Sequence, residues 1–322
     1  MKTLFNMTTD HYDLTRYQNE GEFRQFMTGF DGIELMCFDA DTENIIAQDM
    51  VVGLHTKMVN YWIDLWRGNH EELLREHGTA EQSEKYYGVA TKEHLINSFK
   101  DELSNAVRYG AEYMVLHVSN SAIVESITRR FRHTDAEIID AFCDIINSAF
   151  AGVKDGPTLL FENLWYPGLT FTAPDMTRRL MDKIEYENKG IMLDTGHIMH
   201  MNMELKSQEE AVSYIHKMLD IHGDLTQYVR GVHLNKSLTG AFAKEVMENP
   251  PVLAEDYAER VSQLYEYIFK IEEHHPFTCK GVKGLVERIN PEYLVFEFVT
   301  MDSEQHRGFL KEQLAALEGL WR

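Results

Sequence analysis

The sequence predicts a single (β/α)8 barrel over residues 1–322. Three observations carry the prediction: a strand-like apolar run recurs eight times, helical stretches separate most of the runs, and no G-x-G-x-x-G follows the first one. Strands that alternate with helices pair in parallel through right-handed crossovers, and eight such units close into a barrel. A doubly wound open sheet is the other arrangement built from these units, and the missing glycine fingerprint counts against it.

In chain order, TLFNM (3–7) is the first run and is followed by a helical stretch at 20–29. GIELMCF (32–38) and MVVGLH (50–55) are the second and third. A long connection at 56–91, aromatic and charged through YWIDLW and EKYYG, then leads to a helix over 92–109. YMVLHVS (113–119) precedes a helix over 135–153, TLLFEN (158–163) one over 174–188, and GIMLD (190–194) one over 207–221. VRGVHLN (229–235) opens a second long connection, 236–281, which holds NPP at 249–251, a helical stretch at 255–272 and EEHHP at 272–276; a helix over 282–289 follows it. YLVFEFV (293–299) is the eighth run, and LKEQLAALEGLW (310–321) closes the chain as a helix. Strands buried on both faces, as in an all-parallel sheet, read as near-continuous apolar runs of this kind. Long loops after strands lie over the active face of such a barrel.

Composition bounds the function. With 44% hydrophobic and 26% charged residues, the chain has the make-up of a globular protein. No apolar run approaches the roughly 18 residues of a membrane span, and the N-terminus turns polar too soon for a secretory signal. Cys37, Cys143 and Cys279 are scattered and odd in number, which fits packing roles in a reducing compartment. Together these features predict a cytoplasmic protein with no membrane partner. Lys and Arg total 31 against 52 Asp and Glu, a net charge of −21. Such a surface repels phosphate backbones, so no nucleic-acid partner is expected. The short basic piece RRFRH (129–133) reads as a solvated helix start or loop.

The chemistry lies where the runs end. GIMLDTGHIMHMN (190–202) places Asp194 and His197 directly after an apolar strand, either as the cap of a short helix or as ligands. The other strand ends favour ligands. The third run ends in His55, the fourth carries His117, the fifth ends near Glu162, the sixth in Asp194, the seventh carries His233 and the eighth Glu297. In a barrel, strand C-termini converge on one mouth. Buried carboxylates there need a cation to compensate them. Glu162, Asp194, His233 and Glu297 are the predicted ligands of a divalent metal. Their carboxylates suit Mn or Mg, while added histidines pull the preference toward Zn or Co.

These residues sit in GFDGIEL (29–35), LLFEN (159–163), LDTGH (193–197), VHLNKS (232–237) and FEF (296–298). In that order and over most of the chain, the pieces resemble the xylose isomerase-like TIM barrel superfamily, which includes sugar phosphate isomerases and epimerases and the endonuclease IV-type AP endonucleases. The resemblance implies one metal on Glu162, Asp194, His233 and Glu297, with His197 on substrate or a further metal. For endonuclease IV-type enzymes it implies three zinc ions: His55 and His117 match the extra histidines, and Glu272 with His274 stands where those enzymes have D-x-H, glutamate replacing aspartate. Lys236 stands where the nuclease usually has aspartate.

The first functional expectation is therefore a metal-dependent sugar or sugar phosphate isomerase or epimerase. Glu162 and Glu297 would remove and return a proton through a metal-stabilised enediolate. His197 and Lys236 would hold hydroxyls, and Trp165, with Trp62 and Trp66, would wall a small sugar substrate. The alternatives are an endonuclease IV-like zinc-dependent phosphoester hydrolase and a non-catalytic barrel that keeps the metal pocket. Homo-oligomerisation is compatible with either.

Overall fold

The computed structural model describes residues 1–38, 44–57 and 59–320. Eight strands form one closed parallel barrel in sequence order: β1 Lys2–Thr8, β2 Gly32–Met36, β3 Val51–His55, β4 Tyr113–His117, β5 Thr158–Glu162, β6 Lys189–Asp194, β7 Val229–Leu234 and β8 Tyr293–Phe296. β1 closes the sheet on β8, with Phe5 opposite Phe296. Each matches a predicted run, and most stop one to three residues sooner, at the point where the chain leaves the sheet.

Amphipathic helices surround the sheet. The helix Lys92–Tyr109 has the bounds the sequence predicts: Thr91 accepts the His94 N–H at its start, and Gly110 takes the left-handed conformation that ends it. The helices Asp135–Ala149, Pro174–Lys183 and Gln208–His222 follow β4, β5 and β6. No α-helix joins β2 to β3 among the described residues, in line with the lack of a helical pattern there. The long connection after β3 holds three short helices, Ile63–Arg67, His70–His77 and Ala80–Tyr87, and the one after β7 holds Gly240–Glu248 before the expected Tyr257–Ile271. Ser303–Ala316 closes the barrel, starting seven residues before the predicted stretch, whose Trp321 lies outside the described residues. No described helix is long and apolar enough to cross a membrane.

Inside the barrel, side chains stack in layers. Leu4, Tyr113, Val115, Leu160, Met192, Tyr293 and Val295 form a buried apolar plug. Glycines admit the larger rings and chains of this plug: a Cβ on Gly53 would lie 2.0 Å from the Tyr113 ring, and one on Gly231 would lie 2.6 Å from the Met192 sulfur. Successive strand residues face opposite sides. Two positions beyond Val115, Leu160, Met192, Gly231 and Val295, the same inner face therefore carries His117, Glu162, Asp194, His233 and Glu297. The plug is the floor on which these five stand.

Candidate metal centre

Glu162, at the end of β5, is the hub. Its side chain is fully buried, and both oxygens face imidazoles. Oε2 lies 3.1 Å from His55 Nε2 and 2.9 Å from His117 Nε2. Oε1 lies 3.2 Å from His233 Nδ1 and 3.2 Å from His197 Nδ1. Burial alone raises a carboxyl pKa, but the imidazoles of His233, His117 and His197 overcome it and hold Glu162 well below the ordinary range.

Asp194 has two roles at once. Oδ1 accepts the His197 N–H at 2.5 Å, capping the short helix Thr195–Met199, while Oδ2 accepts Asn235 Nδ2 at 2.6 Å. Asn235 Nδ2 also reaches Glu297 Oε2 at 3.2 Å. The cap and the ligand reading of DTGH are thus compatible: the helix start aims Asp194 and His197 into one pocket. Glu297 lies one residue beyond β8 and, at 14% exposure, is the most open of the four predicted ligands. Burial raises its carboxyl well above the usual value, and the Asp194 and Glu162 carboxylates add to the rise against the pull of His233.

The donors fall into two groups whose ligand atoms lie within 4.8 Å of one another: His55, Glu162, His233 and Glu297, and Asp194, His197 and His274. His274 comes from the long connection after β7, held at a φ of 45°, a left-handed conformation rare for a residue with a Cβ. Its ring burial lowers its pKa despite the nearby Asp194 and Glu272 carboxylates, and its Nε2 has no hydrogen-bond partner among the described residues. Glu272 stands beside this second group, Oε1 3.8 Å from His197 Nε2 and accepting the Trp165 indole N–H at 2.6 Å. EEHHP is therefore part of the pocket wall.

Glu34, in the middle of β2, is a site residue the sequence reading passed over. Its Oε1 lies 2.9 Å from His233 Nε2 and its Oε2 accepts the Tyr113 hydroxyl at 2.7 Å. The available signal was a carboxylate alone in the apolar run GIELMCF. Asn163 and Asn235 were missed too: Asn163 accepts the Asp194 N–H and donates to its carbonyl, tying β5 to β6. Trp165 is 2% exposed and stacked by the Arg129 guanidinium at 4.4 Å, so it positions Glu272 and does not wall an open pocket. Trp62 is buried against Phe142, and Trp66 packs on the outer core. Lys236 pairs through its backbone with His275, and no hydrogen bond or ion pair links its ammonium to the centre among the described residues. RRFRH is only partly solvated: Arg132 pairs with Glu125 at 2.8 Å and with Glu72, joining two loops over the mouth.

The donor set fits divalent metal. Four carboxylates, Glu34, Glu162, Asp194 and Glu297, share one buried mouth, a costly concentration of negative charge without cations. His55 donates Nδ1–H to the Thr56 carbonyl at 2.9 Å, which fixes its tautomer and leaves Nε2 as a lone-pair donor toward the centre.

Comparison with known proteins agrees with this architecture. The family model described as xylose isomerase-like TIM barrel matches residues 27–277. A probable endonuclease 4 of Halothermothrix orenii is 29% identical over 153 residues, 46% of this chain and 50% of that protein, so the chain spans about half the length of the curated relative it matches. Among solved structures, endonuclease IV from Thermus thermophilus superposes with a TM-score of 0.53 at 14% identity, covering 99% of both chains. An IOLI protein with a binding zinc atom gives 0.54 at 13% identity, over 100% of this chain and 99% of that one. A D-tagatose 3-epimerase-like protein gives 0.50 at 14%, over 98% of both. At these identities the solved structures show a shared fold.

Proposed function

We propose, from the premise that this chain belongs to the xylose isomerase-like TIM barrel family, that it is a divalent-metal enzyme with more than one metal per centre, acting on a phosphoester. The supporting observation is Glu162, whose two oxygens each face a separate pair of imidazoles. A carboxylate disposed in this way, with the imidazoles on each oxygen, would hold more than one divalent cation, and such a site would supply charge neutralisation for a displacement at phosphorus. Asp194, His197 and His274 form a second donor group beside that of His55, Glu162, His233 and Glu297, room for a further cation.

Divalent cations bound here would neutralise phosphoryl oxygens and acidify a water. The chain's own residues do the rest. His55 and His117 hold one oxygen of Glu162 and His233 and His197 the other, and Asn235 donates to both the Asp194 and the Glu297 carboxylate. Glu297, the open carboxylate, takes the proton of the attacking water on Oε2. Imidazole-rich donors favour zinc or cobalt over magnesium. The probable endonuclease 4 and endonuclease IV from Thermus thermophilus agree with this reading; the net charge of −21 argues for a small phosphoester over a duplex.

A sugar isomerase or epimerase, the first expectation from the sequence, is the second reading here; the D-tagatose 3-epimerase-like neighbour agrees with it, and Glu297 is open with its carboxyl pKa raised, the condition of a proton-transfer group. Glu162, enclosed by four imidazoles, is poorly placed as its partner base. Metal analysis of purified protein, with assays on bis(4-nitrophenyl) phosphate and on a ketose panel in D2O, separates the two. Roughly two or more ions per chain and phosphoester cleavage are expected. One ion with deuterium entering a ketose would overturn the proposal.

A further inference from the structure

Beside the centre lies a second cavity of about 300 Å3, between the loops after β3 and the helices Lys92–Tyr109 and Asp135–Ala149. His117 forms part of its wall, so it adjoins the metal pocket. Rings of Trp62, Tyr86, Tyr87, Phe99 and Phe142 line it as well. This size suits a single ring with small substituents.

Its polar groups restrict what fits. Three hydroxyls around it are already committed: Thr56 donates to the Val115 carbonyl at 2.8 Å, Ser98 to Leu95 at 2.8 Å and Tyr87 to Tyr61 at 2.6 Å. The Trp62 indole donates to the Ser119 carbonyl at 2.7 Å. A polyhydroxylated sugar would find few free partners here and would lose water for nothing. Apart from His117, whose Nδ1 also lacks a hydrogen-bond partner among the described residues, the exception is Glu102. It is 5% exposed, its Oε1 accepts the Lys57 N–H at 3.4 Å with the Lys57 ammonium 3.9 Å away, and its Oε2 has no hydrogen-bond partner among the described residues. A buried acceptor in an aromatic cavity calls for a donor from a ligand.

We propose that this cavity receives the non-reacting part of the substrate, an aromatic or heteroaromatic ring bearing an O–H or N–H that donates to Glu102 Oε2. The inference deepens the phosphoester reading by naming the substrate class, and rests on it only for the reacting end beyond His117. Ring recognition needs neither metal nor turnover.

The test uses the full chain and two fluorinated probes followed by 19F NMR: 4-fluorophenol, which has the donor, and 4-fluoroanisole, which lacks it. Wild type should bind 4-fluorophenol about tenfold tighter, the magnitude expected when a buried acceptor is satisfied. Glu102→Met, which keeps the volume and removes the acceptor, should erase that preference. Ser98→Phe, which fills the space, should abolish binding of both probes, and a chain in which either variant misfolds is still tested by the other and by the wild-type probe pair. Equal affinity of the two probes for wild type, or unchanged binding in Ser98→Phe, would overturn the proposal. A chain that binds 4-fluorophenol selectively but cleaves no phosphoester keeps this site and loses the phosphoester reading; one that cleaves methyl and aryl phosphoesters alike, without probe selectivity, does the reverse.

Discussion

Two layers of the barrel interior, one step apart on the same strands, are held by opposite physics. The lower layer, with Tyr113, Val115, Leu160, Met192 and Val295, is dry and apolar and is stabilised by burial. The upper layer, with His55, His117, Glu162, Asp194 and His233, is nearly as deeply buried but consists of ionisable groups that compensate one another. A two-residue advance along the strand converts a part that stabilises the fold into a cluster of ionisable donors. The contrast predicts that stability and metal binding can be damaged separately.

The largest effect comes from breaking each layer in turn on β5. Glu162→Ala should drop bound metal from about two or more ions per chain to one or fewer, and phosphoester turnover by on the order of a thousandfold or more, while the barrel stays folded. Leu160→Ala, two residues earlier and fully buried, should cost about 2–5 kcal/mol of unfolding free energy. The protein that remains folded should bind metal as wild type does. Metal analysis and denaturant unfolding of both variants check the separation. Loss of metal in Leu160→Ala at temperatures where it is folded would show that the layers are coupled.

Most of the scaffold is legible in the sequence because parallel strands buried on both faces leave continuous apolar runs, and the ionisable strand ends that meet at the mouth could be read from where those runs stop. What stayed hidden has physical reasons. The three helices between Ile63 and Tyr87 run five to eight residues each, too short for a 3.6-residue stripe to repeat, and His77 and Tyr86 pack on Tyr257 from the connection after β7. Glu34 interrupts a strand instead of ending it. The partition of the donors into two groups depends on how far side chains reach across the mouth: His55 joins Glu162 from two strands away, and Asp194 turns to His197 and His274. Register along a strand can be read from one dimension; reach across a barrel cannot.

An intermediate effect concerns pH. In metal-free protein, burial opposes the charging of His197 and His233, but the carboxylates around them raise both above the ordinary histidine value. A histidine with a raised folded pKa stabilises the fold below its unfolded value of about 6.5 and loses that contribution as pH rises through the folded value. Metal-free protein should therefore lose stability as pH climbs above about 6.5. Metal binding has the opposite dependence, because cations displace those protons. The rise in Tm on adding zinc should consequently grow from pH 6 to pH 8. A thermal shift independent of pH would mean that the imidazoles are not the groups being metallated.

The smallest effect is expected at Lys236, which the motif VHLNKS places next to the centre in sequence. Alternation along the chain puts His233 and Asn235 on the inner face, and both engage the centre there. Lys236 falls on the other parity, and its backbone N–H and carbonyl bond with His275 at 2.8 and 3.0 Å. Those bonds tie the loop carrying Glu272 and His274 to the end of β7, and they survive any side-chain change that keeps the backbone N–H. Lys236→Ala should accordingly alter stability by less than about 0.5 kcal/mol and leave metal content unchanged, whereas Lys236→Pro, which removes the N–H donor, should loosen the loop and lower occupancy of the group formed by Asp194, His197 and His274. If Lys236→Ala lost metal to the same degree as Lys236→Pro, the ammonium and not the backbone bridge would be what holds that side of the mouth.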